Sequence, residues 1–204
     1  TGSMNGVGRP GTLIANLPSI TVQTITPTSA GSGWSPAAGA FPWINLRCKF
    51  NDVVTEPAKD YNALFSATYP GIDHYWRQIS YNAVSLAGTT TDAVWRVLPH
   101  PRSYYVSETT GANLDRLVTD CVAVSNASVN FALYKGINMM FNAELDCCAW
   151  GGGEYLTLDG QSKVWSVTWL PPWAQVYDYI THEMGHGFGL PHSSGLQVNR
   201  PSGL

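Results

Sequence analysis

Charged residues are scarce in this chain of 204 residues, where they make up 12% of the sequence, and neither sign dominates. With 11 Lys and Arg against 14 Asp and Glu, the net charge is −3, so no basic surface for binding phosphates is expected, and the composition argues against nucleic acid as a partner. No apolar run approaches the roughly 20 residues that a membrane-spanning helix needs. The chain also opens without the pattern of a signal peptide, and we expect it to begin inside a longer precursor.

The sequence has only four cysteines, and none of them forms a Cys-x-x-Cys pair, which argues against a cysteine-bound zinc site: Cys48, Cys121, Cys147 and Cys148. Four thiols allow three ways of forming two disulfides, and the sequence does not show which of them occurs. Buried free thiols and two disulfides in an oxidising compartment both fit, and we favour the disulfides. A Gly-rich phosphate loop and a Gly-x-Ser-x-Gly motif are missing too, which disfavours kinases and serine hydrolases.

The hydrophobic content of 44% is enough for one domain with a substantial core. Residues 1–40 are dominated by Gly, Ser, Thr, Pro and Ala, and this composition predicts a leading arm or linker. Residues 41–204 are therefore the predicted folded domain.

Strand and helix patterns alternate along this domain. Helical spacing occurs in two pieces around Pro70-Gly71 and again over 113–125, where Asn113 is the expected N-cap. Short strands at 83–86 and 93–98 could form a hairpin. The mixture predicts an α+β fold in which helices pack on a mixed sheet. The remaining predicted strands are 43–50, 136–142, 155–158 and 163–169.

The segment from His182 to His192 fits the pattern HExxHxxGxxH at every fixed position. A helix turns about 100° per residue, so His182 and His186 lie on one face, while Val176, Tyr179 and Ile180 offer a stripe that faces the core. Gly189 can adopt a positive φ and turn His192 back toward the first two ligands.

Three imidazoles would then bind Zn²⁺ and leave a fourth position open for water, as in catalytic zinc sites. Glu183, beside the first ligand, is the predicted general base. A purely structural zinc site is disfavoured, because such a site has no need of this glutamate. Nothing in the sequence supports calcium.

The motif resembles that of the metzincin clan of zinc metallopeptidases, and the stretch Tyr69–Tyr81 resembles the secreted immune inhibitor A-like metallopeptidases. The resemblance covers roughly Trp43 to His192. It implies a zincin-like fold, in which a twisted mixed sheet lies over two long helices and the second helix carries the first two ligands. It also implies secretion, often behind a propeptide.

Two features depart from this resemblance. His192 stands where the immune inhibitor group commonly has an acidic residue, which favours a ligand set of three histidines. Metzincins also have a Met-containing turn after the third ligand, whereas this chain has no Met after Met184. A fragment, a second chain that completes the cleft and a departure from the clan would each explain this. We expect a fragment with a truncated C-terminal subdomain.

The sequence thus predicts a zinc-dependent endopeptidase that acts on protein or peptide substrates. In zincins the substrate pairs with an edge strand, which predicts a substrate rim at 151–158 with Gly152, Gly153 and Tyr155 as contacts. The alternatives are a non-catalytic zinc-bearing module that binds protein or glycan, and a metal-dependent hydrolase with another substrate. His74 and His100 have no partner at ligand spacing and are predicted to be structural or surface residues. Asn126-Ala127-Ser128 is a glycosylation sequon.

Overall fold

A computed structural model describes residues 37–192. Most of the predicted arm over 1–40 therefore lies outside the described residues, as does the part of the predicted domain after His192. Gly39 and Ala40, which the composition assigned to the arm, form a short strand. No helix in the described part of the chain is long and apolar enough to cross a membrane.

The described residues form a mixed α+β fold with five α-helices and ten strands. The helices are α1 (Tyr61–Leu64), α2 (Ile72–Ile79), α3 (Arg102–Tyr105), α4 (Leu114–Ser125) and α5 (Tyr177–Gly187). The strands are β1 (Gly39–Ala40), β2 (Trp43–Lys49), β3 (Val84–Ser85), β4 (Thr90–Thr91), β5 (Arg96–Val97), β6 (Val106–Ser107), β7 (Gly111–Ala112), β8 (Gly136–Phe141), β9 (Trp150–Leu158) and β10 (Gln161–Leu170).

The main sheet is mixed and has six strands. Its order is β4-β2-β8-β10-β9, and β5 pairs with β2 as well. Strands β2, β8 and β10 are parallel, whereas β9 runs antiparallel to β10 and forms an edge of the sheet. The prediction of a mixed sheet with packed helices is confirmed, as are the strand at 43–50 and the Asn113 cap, whose side chain accepts a hydrogen bond from the Arg116 amide.

The predicted hairpin of 83–86 and 93–98 is wrong. Strand β3 pairs with β1 in a separate small sheet, whereas β5 joins the main sheet beside β2. Each segment has only two paired residues, so the partner is decided by contacts distant in sequence rather than by a local turn. Strands β6 and β7 form a second small antiparallel sheet.

Alternate side chains of the central strands form two cores on opposite faces of the main sheet. Ile137 and Met139 of β8 belong to the core that contains α4, whereas Met140 belongs to the core that contains α2 and α5. The resemblance implied two long helices beneath one face. In the structure the two longest helices, α4 and α5, pack on opposite faces instead.

A row of buried polar side chains crosses the three parallel strands and fixes their register. The Asn138 amide donates to Asn45 Oδ1 at 2.8 Å, and the Thr168 hydroxyl donates to Asn138 Oδ1 at 2.7 Å. These residues are directly paired across β2, β8 and β10. A one-residue slip would leave buried polar groups unsatisfied, so the row holds the sheet on which α5 packs.

The four cysteines form two disulfides, Cys48–Cys121 and Cys147–Cys148. The first is fully buried and joins β2 to α4. The second lies in the loop that leads into β9. The expectation of two disulfides is therefore confirmed, and the alternative of free thiols is wrong.

Candidate metal centre

Helix α5 begins after a proline-rich turn at the end of β10. Pro172–Ala174 form one turn of 3₁₀ helix, and Val176 is the N-cap residue of α5. The predicted core-facing stripe is only partly right. Ile180 is fully buried, but Val176 and Tyr179 remain 39% and 46% exposed. The inward face is instead completed by Met184 and Gly187, which follow Ile180 at spacings of four and seven residues.

The first two ligand candidates lie on the open face of this helix. His182 is exposed and His186 is half-buried, while Ile180 and Met184 on the inward face are fully buried. At about 100° per residue, His182 and His186 share one side of the helix and point well away from Ile180. The arrangement leaves both imidazoles free to bind an ion without disturbing the core.

Gly189 ends the helix and redirects the chain, as the sequence predicts. Its φ of +86° is the left-handed conformation that favours glycine. The Leu190 amide donates to the Gly185 carbonyl at 2.9 Å, and the Gly189 amide donates to the His186 carbonyl at 2.8 Å. This pair of bonds is the Schellman arrangement, and it carries His192 back toward α5.

The structure brings the three predicted ligands together. Nε2 of His186 lies 3.2 Å from Nε2 of His182 and 3.1 Å from Nε2 of His192. Nitrogens bound to one tetrahedral zinc ion lie about 3.4 Å apart, because each bond is about 2.0–2.1 Å long. Within residues 37–192, this is the one group of three or more His, Cys, Asp or Glu side chains arranged to hold an ion. The donor set and its spacing therefore fit zinc.

A backbone carbonyl orients the central ligand. His186 Nδ1 lies 2.8 Å from the carbonyl oxygen of Leu190. A proton on Nδ1 would be donated to this oxygen, which leaves Nε2 as the unprotonated nitrogen that a metal requires. The turn at Gly189 thus serves twice, because it positions His192 and also supplies the carbonyl that orients His186.

Glu183 lies beside the ligands but is largely enclosed, with 7% of its surface exposed. Burial raises the pKa of its carboxyl, although His186 and His192 act in the opposite direction. The carboxylate accepts no hydrogen bond from residues 37–192. It therefore remains available as an acceptor next to the three imidazoles.

The edge strand β9 packs directly against the ligand helix. A Cβ placed on Gly151 would lie 2.0 Å from the Glu183 carbonyl oxygen, so only glycine allows this approach. Gly152, Gly153 and Tyr155, the predicted substrate contacts, follow on the same strand and pair with β10 on one side only. The predicted rim at 151–158 includes Gly151, but its contact with the helix was not predicted, because close approach to a helix leaves no local pattern.

On the opposite flank of the ligands, α2 forms the wall of a cleft of about 290 Å³. Its aromatic residues Tyr75 and Trp76 line this cleft together with the three histidines. The sequence assigned Tyr75 only to the apolar spacing of a helix, and its place in the cleft depends on how α2 packs against α5. The cleft is completed by Ile79, Thr181, Gly185, Leu190 and Pro191.

The two remaining histidines lie apart from this centre. The His74 ring packs edge-on against Tyr69, and the His100 ring packs against Tyr104 at a centroid distance of 4.0 Å. Neither joins the group that could hold a metal. Asn126 of the sequon is exposed just after the end of α4.

The chain matches none of the models of known protein families, and no curated protein matches it either.

Proposed function

We propose that this protein is a secreted zinc-dependent endopeptidase in which His182, His186 and His192 hold the metal and Glu183 is the general base. The observation that carries the proposal is the convergence of three imidazole nitrogens, 3.1–3.2 Å apart, beside an enclosed carboxylate. Structural zinc sites usually use four protein ligands, whereas three ligands with an open position are typical of catalytic sites. A Zn²⁺ ion bound there supplies Lewis-acid chemistry, since it acidifies water and polarises a carbonyl group.

Glu183 would carry the proton through the reaction. It would accept the proton of the attacking water as the new C–O bond forms, and then donate it to the amine as the C–N bond breaks. Its carboxylate is suited to this role because no described residue occupies it with a hydrogen bond. The carboxylate lies beside the ligand set, because Glu183 directly follows the first ligand, His182, in the helix.

The outer edge of β9, which pairs with no other strand within residues 37–192, is the proposed place for an extended peptide. Its inner edge pairs with β10, and the first part of the strand packs on α5 at Glu183. A substrate chain added along the outer edge would use main-chain hydrogen bonds, as in other cases of strand addition. Gly152 and Gly153 would let the peptide backbone come close, and Tyr155, which is 69% exposed, would contact its side chains.

A zincin-like fold is part of this proposal. An antiparallel edge strand beside the ligand helix supports it. The position of α4 on the opposite face of the sheet is a departure from the arrangement that the resemblance implied. Secretion is supported by the two disulfides, since these persist mainly in oxidising compartments. A propeptide or a second chain that covers or completes the cleft belongs to the same proposal.

Metal analysis combined with a casein cleavage assay tests the proposal. We expect one zinc per chain and cleavage that a chelator abolishes and added zinc restores. Glu183→Gln should retain zinc and lose hydrolysis. The control is Glu144→Gln, which removes the same negative charge from an exposed residue away from the site and should cleave normally. Undiminished cleavage by Glu183→Gln would exclude Glu183 as the base.

A non-catalytic zinc-bearing module that binds protein or glycan is the second candidate. Exposed aromatic rings support it, in particular Trp173 and Tyr179, whose ring centroids lie 4.9 Å apart on the surface. The enclosed Glu183 beside the ligands favours the peptidase. Stoichiometric zinc with no cleavage by the full-length protein would favour the binding module.

A further inference from the structure

The cleft beside the metal centre contains a phenol with no assigned role. Tyr75 of α2 lines the same cavity of about 290 Å³ as His182, His186 and His192. A reaction at this centre develops negative charge on the oxygen of the attacked carbonyl, and a fixed hydrogen-bond donor aimed at that charge accelerates it. A side chain of the cleft with a free hydrogen-bond donor could therefore stabilise this oxygen.

Tyr75 carries the one uncommitted hydroxyl among the residues that line the cavity. The Thr181 hydroxyl already donates to the carbonyls of Tyr177 and Asp178, at 2.8 and 2.9 Å. The Trp76 indole nitrogen is fully enclosed, so it does not reach the cavity. The Tyr75 hydroxyl forms no hydrogen bond with residues 37–192, although phenols that are partly buried usually find a partner.

The ring of Tyr75 packs against two aromatic neighbours. It contacts Trp76 and Tyr177 edge-on, with centroid distances of 5.3 and 5.9 Å. Helix α2 is itself anchored by the buried Asp73 carboxylate, which accepts hydrogen bonds from the Leu86 amide at 2.6 Å and from Arg77 at 3.0 Å. A donor on such a support is oriented before a substrate arrives, which is the condition for strong electrostatic stabilisation.

Tyr75 and Glu183 flank the ligands from opposite sides. On α5, Thr181 and Gly185 line the cavity together with His182 and His186, whereas Glu183 does not. At about 100° per residue, Glu183 and Gly185 lie on opposite sides of the two histidines. Glu183 is therefore on the flank of the edge strand, and Tyr75 is on the flank of α2.

We propose that Tyr75 is a catalytic residue that donates its hydroxyl hydrogen bond to the oxyanion formed when water attacks the scissile carbonyl. The inference depends on the proposed peptidase function. Tyr75 keeps its proton throughout, since the water proton travels by way of Glu183 to the departing amine. The phenol therefore supplies binding of the transition state and no proton transfer.

Tyr75→Phe tests this role, because it removes the hydroxyl and keeps the ring contacts. Tyr177→Phe is the matched control, since it removes the neighbouring phenol, which does not line the cavity. The readout is the affinity of the zinc-loaded, full-length protein for acetohydroxamic acid, measured by calorimetry. We expect Tyr75→Phe to weaken binding at least about tenfold and Tyr177→Phe to leave it unchanged, with zinc content and melting temperature equal to wild type in both. Equal affinity of Tyr75→Phe and wild type would overturn the proposal, and so would loss of zinc or stability in Tyr75→Phe.

Peptide hydrolysis separates this proposal from the proposed function. If the protein cleaves casein, kcat should fall about 10²-fold in Tyr75→Phe with little change in KM. Wild-type turnover by Tyr75→Phe would overturn the role of Tyr75 and leave the peptidase function intact. Absence of cleavage in the wild type would refute the peptidase function and with it the catalytic role of Tyr75, and weakened hydroxamate binding by Tyr75→Phe would then show only that the hydroxyl contacts a ligand bound at the centre.

Discussion

Replacement of Gly151 by Ala tests the contact between the edge strand and the ligand helix. The added Cβ would lie 2.0 Å from the Glu183 carbonyl oxygen and 2.7 Å from the carbonyl carbon. Carbon and oxygen atoms normally approach no closer than about 3.3 Å, so strand and helix would have to separate by roughly 1.3 Å. No rotamer change can relieve this contact, because both partners are backbone.

The expected cost follows from the tight packing of the interior. Overpacking typically costs about 1–3 kcal/mol, and a clash with backbone belongs at the upper end, at about 3 kcal/mol. For a chain of this length, each kcal/mol lowers the melting temperature by about 2–4 °C, which gives a decrease of roughly 6–12 °C. Zinc affinity should fall as well, because the displaced turn of α5 carries His182 and His186.

Gly152 provides the matched control one residue away. A Cβ at this position would meet nothing within 4 Å. Gly152→Ala should therefore be neutral, or stabilising by up to about 1 kcal/mol, since alanine loses less backbone entropy on folding. Thermal unfolding followed by circular dichroism, with and without zinc, measures both variants. If Gly151→Ala melted within about 1 °C of Gly152→Ala, the close approach of β9 to α5 would be refuted.

Three further predictions address the metal, the buried disulfide and pH. Zinc at about 100 times its Kd should stabilise the protein by about 2.7 kcal/mol in a titration followed by thermal unfolding, and His186→Ala should abolish this shift. Replacing Cys48 and Cys121 together by Ala opens a loop of 73 residues and should lower the free energy of unfolding in urea by about 4 kcal/mol. An unchanged unfolding midpoint would exclude the disulfide. Burial raises the pKa of Asp146, but hydrogen bonds from Ala112, Trp150 and Cys148 outweigh it and hold the pKa below its usual value. Ionised Asp146 therefore stabilises the fold above about pH 4 and loses this effect as the pH falls, so Asp146→Asn should be destabilised at pH 7 and approach wild type at pH 3 in urea titrations.

The metal centre could be predicted from the sequence because its geometry is local. His182 and His186 are placed by one turn of helix, and His192 is placed by a turn that Gly189 permits. All the determinants lie within eleven consecutive residues, so no distant contact was needed to bring them together. Strand β2 was also predictable from the imperfect alternation of its apolar residues, and β8 from an apolar stretch that only Asn138 interrupts.

Features that depend on distant contacts were missed. The three glycines before Glu154 have low strand propensity and were expected to precede a strand, yet they belong to β9. Their pairing with Ser166, Val167 and Thr168 of β10 overrides that propensity. The same holds for the cleft, because Tyr75 joins the histidines only through the packing of α2 against α5.

The way in which α5 is held supports the proposal of a catalytic rather than a structural metal site. Its inward side is fixed by Ile180 and Met184 in the core and by Gly187, which packs on the Trp43 ring. The turn that carries His192 is closed by backbone hydrogen bonds rather than by an ion. The fold thus supports the three imidazoles from the protein side. In structural zinc sites the metal supplies much of the folding free energy, whereas here core packing supports the helix and backbone hydrogen bonds support the turn. In the proposed peptidase, a centre supported in this way would keep its shape while ligands exchange at an open coordination position.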